Sequence, residues 1–214
     1  MKVCTDACLF GALLPAINTG NALDIGTGTG LLSLMFAQKN DCIIDAIEID
    51  IDAFEQAKQN VDESIWKEKI KVHCVDIKSF EPSKKYDIIF SNPPFYANDL
   101  KSSDAKKNIA MHSSLLRYDD LLKTIARVIN ESGIFAVLLP FSSEETFVNI
   151  AKAFHLFPNK ITRVKQTEKH HYFRSIIQFS GKEKSVEQIE ITIKMNDDYS
   201  QEFTALLKDY YLFL

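Results

Sequence analysis

The 214-residue sequence has little of what metal sites, disulfide frameworks and membrane spans are made from. Its four cysteines, Cys4, Cys8, Cys42 and Cys74, are irregularly spaced, and Cys4-x3-Cys8 has no second Cys/His pair at ligand spacing. Free thiols in a reducing, cytoplasmic setting are the expectation. Five histidines form no HExxH and His170-His171 is a bare pair, so no metal is expected. No apolar run approaches the ~18 residues that a membrane helix requires, which argues against a membrane partner. Asp6 interrupts an opening that a signal peptide would keep apolar. Neither sign of charge dominates: 25 Lys and Arg against 29 Asp and Glu give a net charge of −4. Such a chain meets nucleic acid only through a local patch. No repeat, low-complexity stretch or Gly/Ser linker divides the sequence, so one domain spanning 1–214 is expected.

What is present is alternation of strand and helix patterns. Ala22–Ile25 reads as a short strand ending at a glycine cluster, followed by a helical block from Leu31 to about Lys39. Ile43–Ile49 is the next strand. Asp52 is placed as an N-cap ahead of Ala53, Phe54, Ala57, Val61 and Ile65 at helical spacing. Strands around Ile70–Val75 and Tyr86–Phe90 follow. Residues 97–113 are polar and read as a long loop, of a length that usually has a job. Tyr118 to Ile129 is helical with Gly133 as its stop, Ile134–Leu139 is a fifth strand, and a helix runs from about Ser143 to Ala153. Ile161–Lys165, Ser175–Phe179 and Gln188–Ile193 read as antiparallel strands before a last helix, Ser200 to Tyr210. Strands alternating with helices predict an α/β, mostly parallel sheet covered on both faces, with ligands bound beyond its carboxyl edge.

The unusual residues cluster at that edge. Gly26, Gly28 and Gly30 lie within five residues, between a strand and a helix. There the backbone can turn sharply and approach a ligand without a Cβ in the way. The spacing is GxGxG with Leu31 next, so the GxGxxG dinucleotide fingerprint is not met. Glu48 ends the second strand, 20 residues beyond Gly28, where a carboxylate can accept hydrogen bonds from ribose hydroxyls. Asp76 closes the third strand, either as a further polar contact or as an N-cap. Asp24 is an acid inside an apolar strand and needs a partner, either loop amides or a cationic ligand. Ser91-Asn92-Pro93-Pro94-Phe95-Tyr96 follows the fourth strand. A Pro-Pro pair makes a rigid turn with free carbonyls. The Asn92 oxygen, the Pro93 carbonyl and the Phe95 ring could together hold an NH2 group and the flat system that carries it.

The glycine loop with Glu48, Asp76 and Asp24 resembles the first three motifs of class I S-adenosylmethionine-dependent methyltransferases. That resemblance implies a Rossmann-like, mostly parallel seven-stranded sheet with an antiparallel C-terminal part. It implies S-adenosyl-L-methionine as cofactor, with S-adenosyl-L-homocysteine as product. The cofactor would lie over Gly26, Gly28 and Gly30, with Glu48 on the ribose, Asp76 on the adenine amino group and Asp24 at the methionine end. Asn92-Pro93-Pro94-Phe95 resembles the catalytic motif of amino-methyltransferases, which act on adenine N6, some guanines or a glutamine amide. The opening Met1-Lys2-Val3-Cys4-Thr5-Asp6-Ala7 with Leu9-Phe10-Gly11-Ala12 resembles the bacterial tRNA-Val adenine-37 N6-methyltransferase family. So does the close, Phe203-Thr204-Ala205-Leu206 and Tyr210-Tyr211-Leu212-Phe213-Leu214. The resemblance covers essentially the whole chain. It implies Thr5 and Asn92 among the cofactor contacts and tRNA as the partner. The family's opening glycines are Cys4 and Ala7 here, and its pattern carries a strand ahead of Met1. A shortened start would explain the missing strand, at some cost to the site.

Tyr96, Lys101, Lys106 and Lys107 are candidates for holding RNA. Lys160, Arg163, Lys165, Lys169 and Arg174 form a second group that is either a tRNA-facing patch or a solvated face. The rival readings are glutamine methylation in a protein, modification of another RNA base, an NAD-dependent oxidoreductase, and a non-catalytic RNA-binding module. Glycine spacing opposes the oxidoreductase, and the intact Asn92–Phe95 motif opposes loss of activity. The sequence does not fix an oligomeric state, and a monomer is the expectation.

Overall fold

The computed structural model describes residues 4–93, 118–196 and 198–212. Nine strands and six α-helices occur among the described residues. The strands are β1 (Asn21–Ile25), β2 (Ile43–Glu48), β3 (Ile70–Cys74), β4 (Tyr86–Ser91), β5 (Ile129–Pro140), β6 (Phe157–Thr167), β7 (Tyr172–Ser180), β8 (Glu187–Met195) and β9 (Asp198–Tyr199). The helices are α1 (Thr5–Leu13), α2 (Leu31–Lys39), α3 (Ile51–Asp62), α4 (Tyr118–Val128), α5 (Glu144–Ala153) and α6 (Gln201–Leu207).

All nine strands share one sheet in the order β3-β2-β1-β4-β5-β7-β6-β8-β9. β3 to β5 run parallel, and β7 pairs antiparallel with both β5 and β6. Side chains of successive strand residues point to opposite faces, so β4 sends Ile88 and Phe90 into one core and Ile89 into the other. Leu9, Phe10, Met35, Phe36 and Phe203 from α1, α2 and α6 close the first core. Leu121, Leu122, Ile125 and Phe147 from α4 and α5 close the second. Burial on both faces explains why β1, β2, β4 and the second half of β5 read as nearly continuous apolar runs. Asp45 is the exception in β2. Burial would raise its carboxyl, but Lys84, His73 and the Tyr86 hydroxyl, at 2.8, 2.8 and 2.9 Å, hold it below the ordinary value.

Several expectations are corrected. The described sheet has nine strands rather than seven, because β8 and the two-residue β9 extend its edge. β8 pairs parallel with β6 rather than antiparallel with β7, since the chain leaving β7 crosses β6 to reach the edge. Gly133 does not stop a helix: α4 ends at Val128 and β5 begins at Ile129. A Cβ on Gly133 would stand 3.0 Å from the Tyr86 carbonyl, at the point where the β4–β5 register slips. The cap of α3 is Asp50, whose carboxylate accepts the Ala53 amide at 2.9 Å, not Asp52. Ile65 lies beyond that helix and is exposed. Ser200 caps α6, which ends at Leu207 rather than Tyr210.

The opening motif forms α1, an element that strand and helix periodicity did not announce. Its residues Ala7 to Gly11 are all buried, so it has no polar stripe to signal an amphipathic helix. A Cβ on Gly11 would stand 2.7 Å from Met35 Sδ, so glycine lets α1 lie close on α2. The Lys39 ammonium donates to the carbonyls of Gly11, Ala12 and Leu14 and closes the C-terminal end of α1.

Candidate active site

The strand order reverses between β1 and β4, which is where an open α/β sheet binds its ligand. Ile25 and Ser91 are register partners there, and Ser91 Oγ donates to the Ile25 carbonyl at 2.9 Å. Gly26 and Asn92 each follow one of those partners, so the glycine loop and the Asn-Pro turn start side by side. Ile47 is Ile25's partner on the other side, and Cys74 pairs with Glu48. Asp76, Glu48, Gly26 and Asn92 therefore stand in a row along one rim of the sheet.

The loop's geometry requires its glycines. Gly26, Gly28 and Gly30 have φ of 71°, 61° and 83°, in the left-handed region that side chains rarely adopt. A Cβ on Gly26 would meet nothing within 4 Å, so this backbone borders open space above the sheet. Glu48 fixes the loop from the second strand. Its Oε2 accepts the Gly28 amide at 2.8 Å, and its Oε1 accepts the amides of Ile49 and Asp50 at 2.8 and 3.0 Å. Asn60 Nδ2 on α3 holds the Thr29 carbonyl at 2.8 Å.

Asp24 is wholly buried, and the loop amides are not its partners. The amides of Gly26 and Thr27 donate to the Ile47 carbonyl instead. Thr27 Oγ1 and Ser33 Oγ donate to Asp24 Oδ2 at 2.6 and 2.7 Å, whereas Oδ1 is buried with no hydrogen-bond partner among the described residues. Burial pushes the carboxyl up to about 6, against the lowering effect of those two hydroxyls. Thr27 and Ser33 were not singled out from sequence. Their signal is a hydroxyl three and nine residues after a buried acid.

Asp76 caps a 3-10 turn over Ile77–Ser79, accepting the Lys78 amide at 2.9 Å through Oδ1. Asn92 Oδ1 is the second buried oxygen with no partner among the described residues. Ile49, beside Glu48, is 54% exposed, an apolar side chain on the rim that sequence reasoning passed over. Thr5 begins α1. Pro94, Phe95, Tyr96, Lys101, Lys106 and Lys107 lie outside the described residues, as do Met1 to Val3, the polar stretch 97–113, Phe213 and Leu214.

Residues 5–131 match the Methyltransferase small domain family. The tRNA1(Val) (adenine(37)-N6)-methyltransferase of Flavobacterium psychrophilum is 39% identical, covering 99% of this chain and 93% of that protein. The protein of the same name from Phocaeicola vulgatus is 37% identical, covering 99% of this chain and 91% of its own. The chain belongs to the tRNA1(Val) (adenine(37)-N6)-methyltransferase family. Solved structures agree on the fold. A predicted O-methyltransferase from Agrobacterium tumefaciens superposes with a TM-score of 0.73 at 13% identity, over 95% of both chains. A putative RNA methyltransferase from Pyrococcus horikoshii gives 0.60 at 18% identity, over 82% of this chain and 81% of that one.

Four of the five cations singled out in the second half of this methyltransferase are paired with acids. Arg163 Nη2 lies 2.6 Å from Glu144 Oε1, and its Nη1 donates to Gln188 at 3.0 Å. Lys165 pairs with Glu190 at 3.2 Å and Lys160 with Glu187 at 3.4 Å. Arg174 reaches Asp6, in the first turn of α1, at 2.7 Å. Only Lys169, in the β6–β7 turn, is an exposed cation of the group.

Proposed function

We propose that this chain transfers a methyl group from S-adenosylmethionine to the exocyclic N6 of an adenine in tRNA, with adenine 37 of a tRNA-Val as its substrate. The observation that carries the reading is the buried Asn92 Oδ1, without a hydrogen-bond partner among the described residues, at the strand-order reversal next to the glycine loop. The residues present fit the cofactor. Gly26 leaves room above the rim, Asp24 Oδ1 offers a buried acceptor to an ammonium, and Glu48 and Asp76 stand at successive strand tips. Thr5, Gly28, Gly30 and Asn92 complete the proposed contacts.

S-adenosylmethionine supplies, when bound, an electrophilic methyl carbon on a sulfonium. The protein's task is to make a poor nucleophile attack it. An exocyclic amine delocalises its lone pair into the ring. By accepting its two hydrogens, Asn92 Oδ1 and the Pro93 carbonyl draw the nitrogen toward a pyramidal geometry and aim the lone pair for in-line displacement. The same oxygens hold the extra proton until water removes it, so no strong base is required. Pro94 stiffens the turn and Phe95 stacks on the flipped base in this reading. Tyr96, Lys101, Lys106 and Lys107 are the proposed contacts to the RNA around it.

One sheet runs through strands from both halves of the sequence, which supports a single methyltransferase domain over 1–214. No helix of the described residues is long and apolar enough to cross a membrane. A monomer acting on tRNA in the cytoplasm is the assembly and place this reading assumes. The test is methylation of total tRNA from a strain lacking the gene, with mass mapping of the product. N6-methyladenine at position 37 of one tRNA-Val supports it, and methyl label only on protein or another base refutes it.

A further inference from the structure

The rim has two sides. On β1, β2 and β3 stand the residues assigned to the cofactor, and on the other side of Asn92 stand the tips of β5 and β7. Ser91 pairs with Val137, and β5 continues to Pro140, about 10 Å further along the strand direction, where Phe141 opens a 3-10 turn. Phe141 is 37% exposed and belongs to neither core. Its ring lies 5.2 Å from that of Tyr172, at 50°. Tyr172, the first residue of β7, is also outside both cores.

Tyr172 is placed by a local irregularity. Val164 pairs with Arg174, yet Lys165 pairs with Tyr172, so Phe173 is the extra residue of a bulge. The bulge lets Phe173 pack against the first core while Tyr172 turns to Lys165, whose Nζ stands 4.5 Å over its ring. The Tyr172 hydroxyl donates to Glu190, which also takes Lys165. The ring is thereby held at its edge and beneath a cation, with Phe141 beside it. Lys169, His170 and His171 follow in the exposed turn between β6 and β7.

We infer that Phe141 and Tyr172 form a stacking platform for an unpaired base of the RNA next to the methylated adenine, with Lys169 of the adjoining turn meeting its phosphate. The inference rests on the proposed tRNA activity and adds where the substrate strand lies. Flat aromatic faces on the substrate side of Asn92 fit a loop of unstacked bases, since base-on-aromatic stacking needs no duplex and no particular sequence. A basic patch alone would not suffice here, because Arg163 and Lys165 are already matched by Glu144 and Glu190.

The test uses the full chain and an unmodified tRNA-Val transcript. Single-turnover methylation is measured against tRNA concentration for wild type, Phe141→Ala and Phe141→Trp. S-adenosylhomocysteine affinity and thermal midpoint are the controls. Phe141→Ala is expected to raise the half-saturating tRNA concentration roughly tenfold to a hundredfold, the range of one lost stacking contact. The saturated rate and S-adenosylhomocysteine affinity should stay within about threefold by the same reasoning. Phe141→Trp should restore tRNA binding, which a purely structural role would not predict. A transcript carrying 2-aminopurine beside the target adenine should be quenched on binding wild type and less so with Phe141→Ala. A wild type that methylates the transcript while Phe141→Ala matches it within twofold overturns the platform and leaves the tRNA reading standing. A wild type that neither binds nor methylates the transcript overturns both.

Discussion

Arg174 Nε lies 2.7 Å from Asp6 Oδ2, joining the first turn of α1 to the start of β7 across 168 residues of sequence. Both side chains are largely buried, at 25% and 16% exposure. Arg174 thus supports the end of the helix that carries Thr5. Its loss should be felt first as stability. Arg174→Met is expected to cost about 1–2 kcal/mol, between the values for exposed and fully buried pairs. The thermal midpoint should fall by roughly 2–8 °C in a chain of this size. The salt dependence of tRNA binding should not change. A contact to phosphate would instead lower the slope of log affinity against log salt by about 1.

Asn92 provides the sharpest test of the chemistry. Asn92→Ala removes one preorganised acceptor, and turnover should fall about 10²–10³-fold, by analogy with oxyanion-hole donors. S-adenosylhomocysteine binding should change far less. The measurement is a single-turnover rate at saturating S-adenosylmethionine, and a rate within threefold of wild type (about 0.7 kcal/mol) would refute the mechanism.

Glu48 has a double task, because its carboxylate already accepts the amides of Gly28, Ile49 and Asp50. Glu48→Ala should weaken S-adenosylhomocysteine binding by about 1.5–3 kcal/mol through lost ribose contacts, with loosening of the glycine loop added. Gly28→Val should abolish binding, since a β-branched residue resists a φ of 61° and fills the approach. Calorimetry on folded variants checks both, and unchanged affinity in either would remove the loop from the site.

Asp24 predicts a pH dependence. Its folded carboxyl titrates at about 6, above the ordinary 3.8, because it is buried. The folded chain therefore holds this proton more tightly than the unfolded chain. The stability this confers is complete below about pH 3.8 and is lost as pH rises through about 6. A ligand ammonium at Oδ1 needs the charged form, so S-adenosylhomocysteine affinity should drop as pH falls below about 6. In Asp24→Asn that slope should vanish and the affinity at pH 8 should be lower. Binding titrations from pH 5 to 8 decide it, and parallel profiles for both proteins would detach Asp24 from the ligand.

The sequence by itself determined the parts whose signal is local. Three glycines in five residues specify a turn because glycine readily takes positive φ at the three alternate positions 26, 28 and 30. The apolar runs of β1, β2 and β4 follow from burial on both faces, and Asn92-Pro93 marks a strand end because proline cannot continue the ladder. Partners far apart in sequence were settled only by the tertiary structure. The partner of β8 depends on the chain crossing β6 after β7, which no pattern within β8 records. Asp24 turned to Thr27 and Ser33 because α2 packs over β1, while the loop amides were taken by Ile47. Arg163, Lys165 and Arg174 looked alike as a charge run, yet Arg163 and Lys165 share one face of β6 and meet Glu144 and Glu190, whereas Arg174, the register partner of Val164, takes the opposite face and meets Asp6. Local conformation is fixed by sterics within a few residues. The partner of a buried charge is fixed by which elements the core brings together.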